Sequence, residues 1–305
     1  MHVEPHRLPL IPHRLLTRAR AAYGAMKRAE RRAMDYLLRE PACRLVGLST
    51  VTGPVEDRSR IAAAVAAAAG RADLPIYSGH SDVLSGPGQP RCPQADALTD
   101  AERRREFPAD PDAALAALVA AARRRPGELT LLTIGPLTNA ARFFQAEPEL
   151  PGLLKEMVLM AGHFRPAKPG AEWNALCDPE ATRIVAEAPV RRTWYGLDVT
   201  LQCTMPAAEV RRRFTGPLLG TVTRFAEVWF RKRDRLVFHD PLAAACVFAP
   251  GLCTCESARV EVETAGEHPG RTVLRPPSGD DRRADQVALG VDAAAFFDRY
   301  FATVT

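Results

Sequence analysis

Glu172 and Asn174 flank Trp173, and His239 and Asp240 stand side by side before Pro241. Carboxylate, carboxamide and imidazole groups are the ones that hold sugar hydroxyls, move protons and bind hard cations. Each pair borders a stretch that reads as buried strand or helix start. Cys177-Asp178-Pro179-Glu180-Ala181 and Gly196-Leu197-Asp198-Val199-Thr200 share this polar character, as does Gly135-Pro136-Leu137-Thr138-Asn139 after the apolar run 129–134. Taken singly, each has a plainer reading. Asp240 suits a helix cap over Leu242-Ala243-Ala244. Asp178 before Pro179 is a good N-cap with proline at N1, and structural capping is its better reading. Asp198 is either a strand-end cap or a group standing behind a site. Glu172, in an apolar neighbourhood, needs a partner.

The elements that must position these groups alternate along the chain. Apolar runs over 45–51, 74–77, 129–134, 156–160 and 193–197 predict buried strands. Helical patterns occupy 58–69, 112–125, 137–144, 180–188, 206–214 and 218–233. Three strands over 259–263, 271–274 and 286–290 precede a helix over 293–300. Continuous apolar strands separated by helices imply an α/β fold: a doubly wound, mostly parallel open sheet with helices on both faces. Ligands then sit beyond the carboxyl ends of the strands, where Gly135, Gly162 and Asp198 fall. The stretch 78–108 is rich in Gly, Pro and polar residues and reads as a long loop.

The N-terminal region reads differently. Leu15, Leu16, Ala19, Ala22, Met26, Ala29, Ala33, Tyr36 and Leu37 recur at three- and four-residue steps, so 13–40 is expected to be helical. Residues 1–40 carry nine Lys/Arg against four Asp/Glu, whereas 41–305 carry 32 of each. The net charge of +5 therefore belongs to this arm, expected to show a solvated basic face, and 41–305 form the α/β domain. A neutral body argues against nucleic acid as partner. No apolar run reaches the roughly 18 residues of a membrane span, and no signal-peptide core is visible, so a cytoplasmic protein is expected. The seven cysteines are odd in number and lack a CxxC pair, which predicts reduced thiols.

The order and spacing of Gly135-Pro136-Leu137-Thr138-Asn139, Glu172-Trp173-Asn174, Asp178-Pro179-Glu180-Ala181, Gly196-Leu197-Asp198-Val199-Thr200 and His239-Asp240-Pro241 resemble the inosine-uridine-preferring nucleoside hydrolases. The resemblance covers residues 43 to about 303. It implies hydrolysis of a ribonucleoside to ribose and free base, with one Ca2+ ion. It also implies that Glu172 and Asn174 bind ribose hydroxyls, that Met160 lines the sugar pocket, and that His239 faces the leaving base as acid. The metal would take the Ile134 backbone carbonyl and Asp240. The family's DxDxGxDD segment has no counterpart: Arg31 and Arg32 stand where paired aspartates belong, and Pro54 replaces an asparagine expected to touch ribose. An impaired calcium site is therefore expected. The rival is a non-catalytic nucleoside- or ribose-binding homologue, or a partner subunit to an active one. A small-molecule nucleoside is the expected partner, and a homo-oligomer is possible.

Overall fold

A computed structural model describes residues 20–26, 31–277 and 285–305, with side chains from residue 33 onward in those spans. The strands are β1 Arg20–Met26, β2 Cys43–Thr50, β3 Ile76–Ser78, β4 Leu129–Thr133, β5 Glu156–Leu159, β6 Arg192–Trp194, β7 Thr204–Pro206, β8 Arg235–Val237, β9 Cys253–Val262, β10 Thr272–Arg275 and β11 Asp285–Val291. Nine of them form one sheet in the order β10-β9-β11-β6-β5-β4-β1-β2-β3. Pairing is parallel from β3 through to β11, while β9 runs antiparallel to both β11 and β10. The remaining two strands, β7 and β8, make a small antiparallel ribbon.

The expected sheet is thus present, with an antiparallel edge. Its core divides by the period of two that strands impose. Met157 and Leu159 of β5 lie in one apolar layer with Leu129 and Leu131 of β4. Val158 and Met160 lie in the other, with Leu132 and Ile134. Both layers are roofed by helices, among them Val55–Ala68 and Pro111–Arg124.

The helix expected over 13–40 is corrected. Arg20–Met26 is a strand, hydrogen-bonded to β2 on one side and β4 on the other. Its alanines favour a helix locally, but a central place between two strands outweighs that preference. Among the described residues of that range only Arg31–Arg39 is helical, and it is not a solvated face: Ala33, Met34, Tyr36 and Leu37 are buried. Tyr300 donates to Asp35 (2.9 Å), and Arg299 donates to Glu40 (2.9 Å) and to the Tyr36 hydroxyl (2.8 Å). These bonds fasten the helix to Ala293–Val304, and residues 20–26 and 31–39 belong to the α/β body rather than to a separate arm. Burial and the Glu40 carboxylate push the Tyr36 phenol up to about 12. Residues 1–19 lie outside the described part.

The long loop 78–108 contains two short helical turns, Pro93–Ala97 and Asp100–Arg103; the second carries a capping box between Thr99 and Glu102. All seven cysteines are free thiols. No helix among the described residues is long and apolar enough to cross a membrane.

Three strands at the mixed edge meet at one buried ion pair. Arg192 on β6 donates through Nε to Asp285 on β11 (2.6 Å), and the second Asp285 oxygen accepts from Val260 N on β9 (3.1 Å). Arg192 is 4% and Asp285 1% exposed, so removing either partner strands a charge in the core. Asp285→Ala is expected to cost about 3–5 kcal/mol in urea unfolding, and the double variant Arg192→Met, Asp285→Leu to recover most of it.

Candidate functional site

The chain runs outward from β1 through β2 to β3, then returns to lay β4, β5 and β6 on the other side of β1. The winding direction reverses between β1 and β4, and a crevice at the carboxyl ends of these strands is where such sheets bind ligands. Ile134 directly follows β4 and Met160 directly follows β5; both are buried.

Glu172 caps the short helix Trp173–Cys177. Its carboxylate accepts from the N–H groups of Asn174 (2.8 Å), Ala175 (3.2 Å) and Gly162 (3.3 Å). It is 3% exposed, and these three donors are the partners that a buried carboxylate requires. Asn174, fully buried, donates through Nδ2 to the Met160 carbonyl (2.7 Å), with the Met160 sulfur at 3.5 Å. Glu172, Asn174 and Met160 therefore form one unit at the end of β5. Gly162, in the same turn, has φ of +89°, and a Cβ there would meet the Phe164 ring at 2.7 Å.

His239 and Asp240 open the helix His239–Phe248, with Phe238 as its N-cap. Asp240 lies inside the first turn, so the plain reading of it as the cap is corrected. It is 2% exposed. This helix packs against β5 and against the short helix Leu197–Thr200 after β6. His239 Nδ1 lies 2.8 Å from Thr200 Oγ1. The Gly162 carbonyl accepts from Leu197 N (2.9 Å), linking the turn after β5 to that after β6. The structure thus joins Met160, Glu172 and Asn174 at the end of β5, and packs the helix that His239 and Asp240 open against β5 and against the turn after β6.

Asp178 and Asp198 have other duties. Asp178 caps Pro179–Glu187 by accepting from Ala181 N (3.1 Å), as expected from sequence. It also accepts from Leu84 N (2.9 Å), Ser85 N (3.1 Å) and Thr138 Oγ1 (2.6 Å), pinning the loop after β3. Asp198 is not at a strand end, because β6 stops at Trp194. Its carboxylate accepts from Phe164 N (2.9 Å) and Arg165 N (2.7 Å) and fixes the turn after β5. Sequence reasoning passed over two residues inside its own motifs. Thr200 closes the stretch around Asp198 and reaches His239. Asn139 accepts from His80 N (3.0 Å) and donates to Thr50 O (2.9 Å) and Ser49 Oγ (3.0 Å).

The calcium expectation rests on the Ile134 carbonyl and Asp240. Among the described residues, no group of three or more His, Cys, Asp or Glu side chains is placed to hold a metal ion. Calcium takes six to eight oxygen ligands, so the described residues do not fit it. The segment joining β1 to the next helix, residues 27–30, lies outside the described part; it holds one carboxylate, Glu30, beside Lys27 and Arg28.

A family model described as inosine-uridine preferring nucleoside hydrolase matches residues 32–298. Uridine nucleosidase 1 of Arabidopsis thaliana is 29% identical over 254 residues, 77% of this chain and 75% of that protein. The inosine-uridine preferring nucleoside hydrolase of Leishmania major is 35% identical over 191 residues, 59% of each chain. Among solved structures, a purine-preferring ribonucleoside hydrolase from Gardnerella vaginalis superposes with a TM-score of 0.78 at 24% identity, covering 93% of this chain and 98% of that one. That likeness shows the fold.

Two predictions come from these ties. Asp178→Ala frees three N–H groups and a hydroxyl and is expected to lower stability by about 2–4 kcal/mol in chemical denaturation. His80 shows the second: burial first, and then Arg142, hold its imidazole below the usual range. The unfolded chain takes up a proton near pH 6.5 where the folded chain does not. Stability is therefore lost as pH falls below about 6.5 towards the depressed value. The melting temperature of wild type is expected to drop more between pH 7.5 and 5.5 than that of His80→Asn.

Proposed function

The chain belongs to the inosine-uridine preferring nucleoside hydrolase family, and from that we propose that it hydrolyses the N-glycosidic bond of a purine or pyrimidine ribonucleoside, with an impaired calcium site. The observation that carries this reading is the shared edge: the Met160-Glu172-Asn174 unit at the end of β5, with the His239-Asp240 helix packed against the same strand. Glu172 and Asn174 bind ribose hydroxyls, and Met160 lines the sugar. Glu172 Oε2 accepts from the N–H groups of Asn174, Ala175 and Gly162, whereas Oε1 accepts from Asn174 N alone, so a sugar hydroxyl can donate to Oε1.

The reaction then needs three transfers. The C1′–N bond breaks while its electron pair returns to the base, which takes a proton from His239. A water oxygen bonds to C1′, and the proton that this water loses goes to Asp240. Ribose and free base leave, Asp240 releases the proton it took to solvent, and His239 regains one from solvent. A well-placed acid of this kind contributes about 10²–10⁴-fold, which is the scale on which His239 is judged. Oxocarbenium character on the ribose is stabilised by the buried carboxylates of Glu172 and Asp240.

Calcium enters no step of this account. The Ile134 carbonyl and Asp240 supply two oxygens, and the chain places Arg31 and Arg32 at the start of the helix after β1.

The test is release of free base from inosine and uridine, followed by chromatography. Base release is expected, and Asp240→Asn is expected to lower it by about 100-fold or more. Ribose binding without base release from either nucleoside would overturn the reading in favour of the non-catalytic one. Calorimetry is expected to find calcium no tighter than about 0.1 mM, and submicromolar binding would overturn the impaired site.

A further inference from the structure

A buried cation stands past the carboxyl end of β2, in the first turn of the helix Val55–Ala68. Arg58 Nε donates to Thr52 O (3.0 Å), and Nη2 donates to Gln89 O (3.1 Å) and Arg91 O (3.2 Å). These acceptors are neutral carbonyls. Among the described residues no carboxylate pairs with Arg58, and its Nη1 has no hydrogen-bond partner. The residues around the guanidinium are in the same condition. Neither polar atom of the Gln89 amide has a partner, nor has Thr52 Oγ1 or Gln94 Oε1. Arg58, Thr52, Gln89 and Gln94 are all at most 4% exposed. Buried polar groups find partners, and a buried charge needs one of opposite sign. Thr52 is also the one non-glycine residue with a positive φ (59°) among the described residues, a costly conformation for a β-branched side chain. Strain of this kind collects where a ligand is clamped. A Cβ on Gly53 would collide with the Gln89 carbonyl, so the loop after β2 and the segment at Gln89 meet here.

The free groups specify the partner. Arg58 Nη1, Thr52 Oγ1 and Gln89 Nε2 can donate to an oxyanion, whereas Gln89 Oε1 and Gln94 Oε1 must accept from it. A carboxylate or a halide has no proton to give. Hydrogen phosphate has a negative charge, several acceptor oxygens and an O–H. We propose that this cluster is a phosphate-ion site, with Arg58, Thr52 and Gln89 as donors and Gln94 accepting from the ion. Its polar atoms are shut off from solvent, so the ligand is the free ion and not a phosphate carried on a nucleotide. In the sheet, β1 and β4 separate β2 from the Met160 unit at β5, so the site is distinct from the one given to the nucleoside and does not rest on the hydrolase reading. The bound ion ties the loop after β2 to the segment from Gln89 to Gln94.

The test uses the full chain, purified without phosphate. Calorimetric titration with inorganic phosphate is expected to show one site per chain with a Kd of about 1 mM or tighter. Acetate is expected to bind at least about tenfold more weakly, because it lacks the proton for the glutamine oxygens. Phosphate freed by denaturing the purified protein is counted with molybdate, so an ion retained through purification is also detected. Thr52→Gly removes the hydroxyl while accepting the positive φ, and Gln89→Leu removes the amide while leaving the charge. Each is expected to weaken phosphate by about 3–10-fold, the scale of one hydrogen bond, and Arg58→Met to abolish binding. Should Arg58→Met fail to fold, the two milder variants decide. A wild type with neither saturable binding nor retained phosphate overturns the proposal and gives the cluster to internal water. Unchanged affinity in both Thr52→Gly and Gln89→Leu overturns it as well. Inosine 5′-monophosphate that competes for the same site as tightly as phosphate overturns the choice of the free ion.

Discussion

Turns that leave the carboxyl edge of a parallel sheet have peptide N–H groups that no strand partner can take. Burying them unpaired costs free energy on the scale of a lost hydrogen bond each. In this chain, carboxylates collect them. Glu172 takes the N–H groups of Gly162, Asn174 and Ala175; Asp198 takes those of Phe164 and Arg165; Asp178 takes those of Leu84, Ser85 and Ala181. Each carboxylate is held in turn, since an ionised acceptor in a buried place is stabilised by several donors. The shape of the crevice depends on this exchange.

Its consequence for chemistry is a division of labour among acids that look alike in sequence. Asp178 and Asp198 have their oxygens engaged by loop backbone and serve the frame. Glu172 does both, because it caps Trp173–Cys177 and stands beside Asn174 and Met160. An acceptor held in this way is preorganised, because its position is fixed before any ligand arrives. The Met160 carbonyl plays the matching part for Asn174, since it accepts from the amide nitrogen and fixes its orientation.

The fold was legible where local and tertiary signals agree. Runs such as 129–134 and 156–160 are apolar on both faces, and a strand buried on both faces is what the sheet made of them. Arg20–Met26 was not legible, because its alanines and a single glycine carry no strand signal and its place is set by β2 and β4. Capping at Asp178 was legible from the proline that follows it. The ties from Asp178 to Leu84 and from Asp198 to Phe164 were not, since the partners lie 94 and 34 residues away. The pairing of His239 with Thr200 escaped for the same reason, at a separation of 39.

Asp240 shows how context changes the meaning of one residue. As a cap it would sit at the boundary of its helix, half in solvent. Phe238 takes that boundary instead, and Asp240 falls in the first turn at 2% exposure. A helix N-terminus carries a partial positive charge, and Asp240 stands in that first turn. This helix packs on both β5 and Arg31–Arg39, and Asp240 is buried with it. Burial inside the first turn, and not capping, is therefore what sets the surroundings of this carboxyl group.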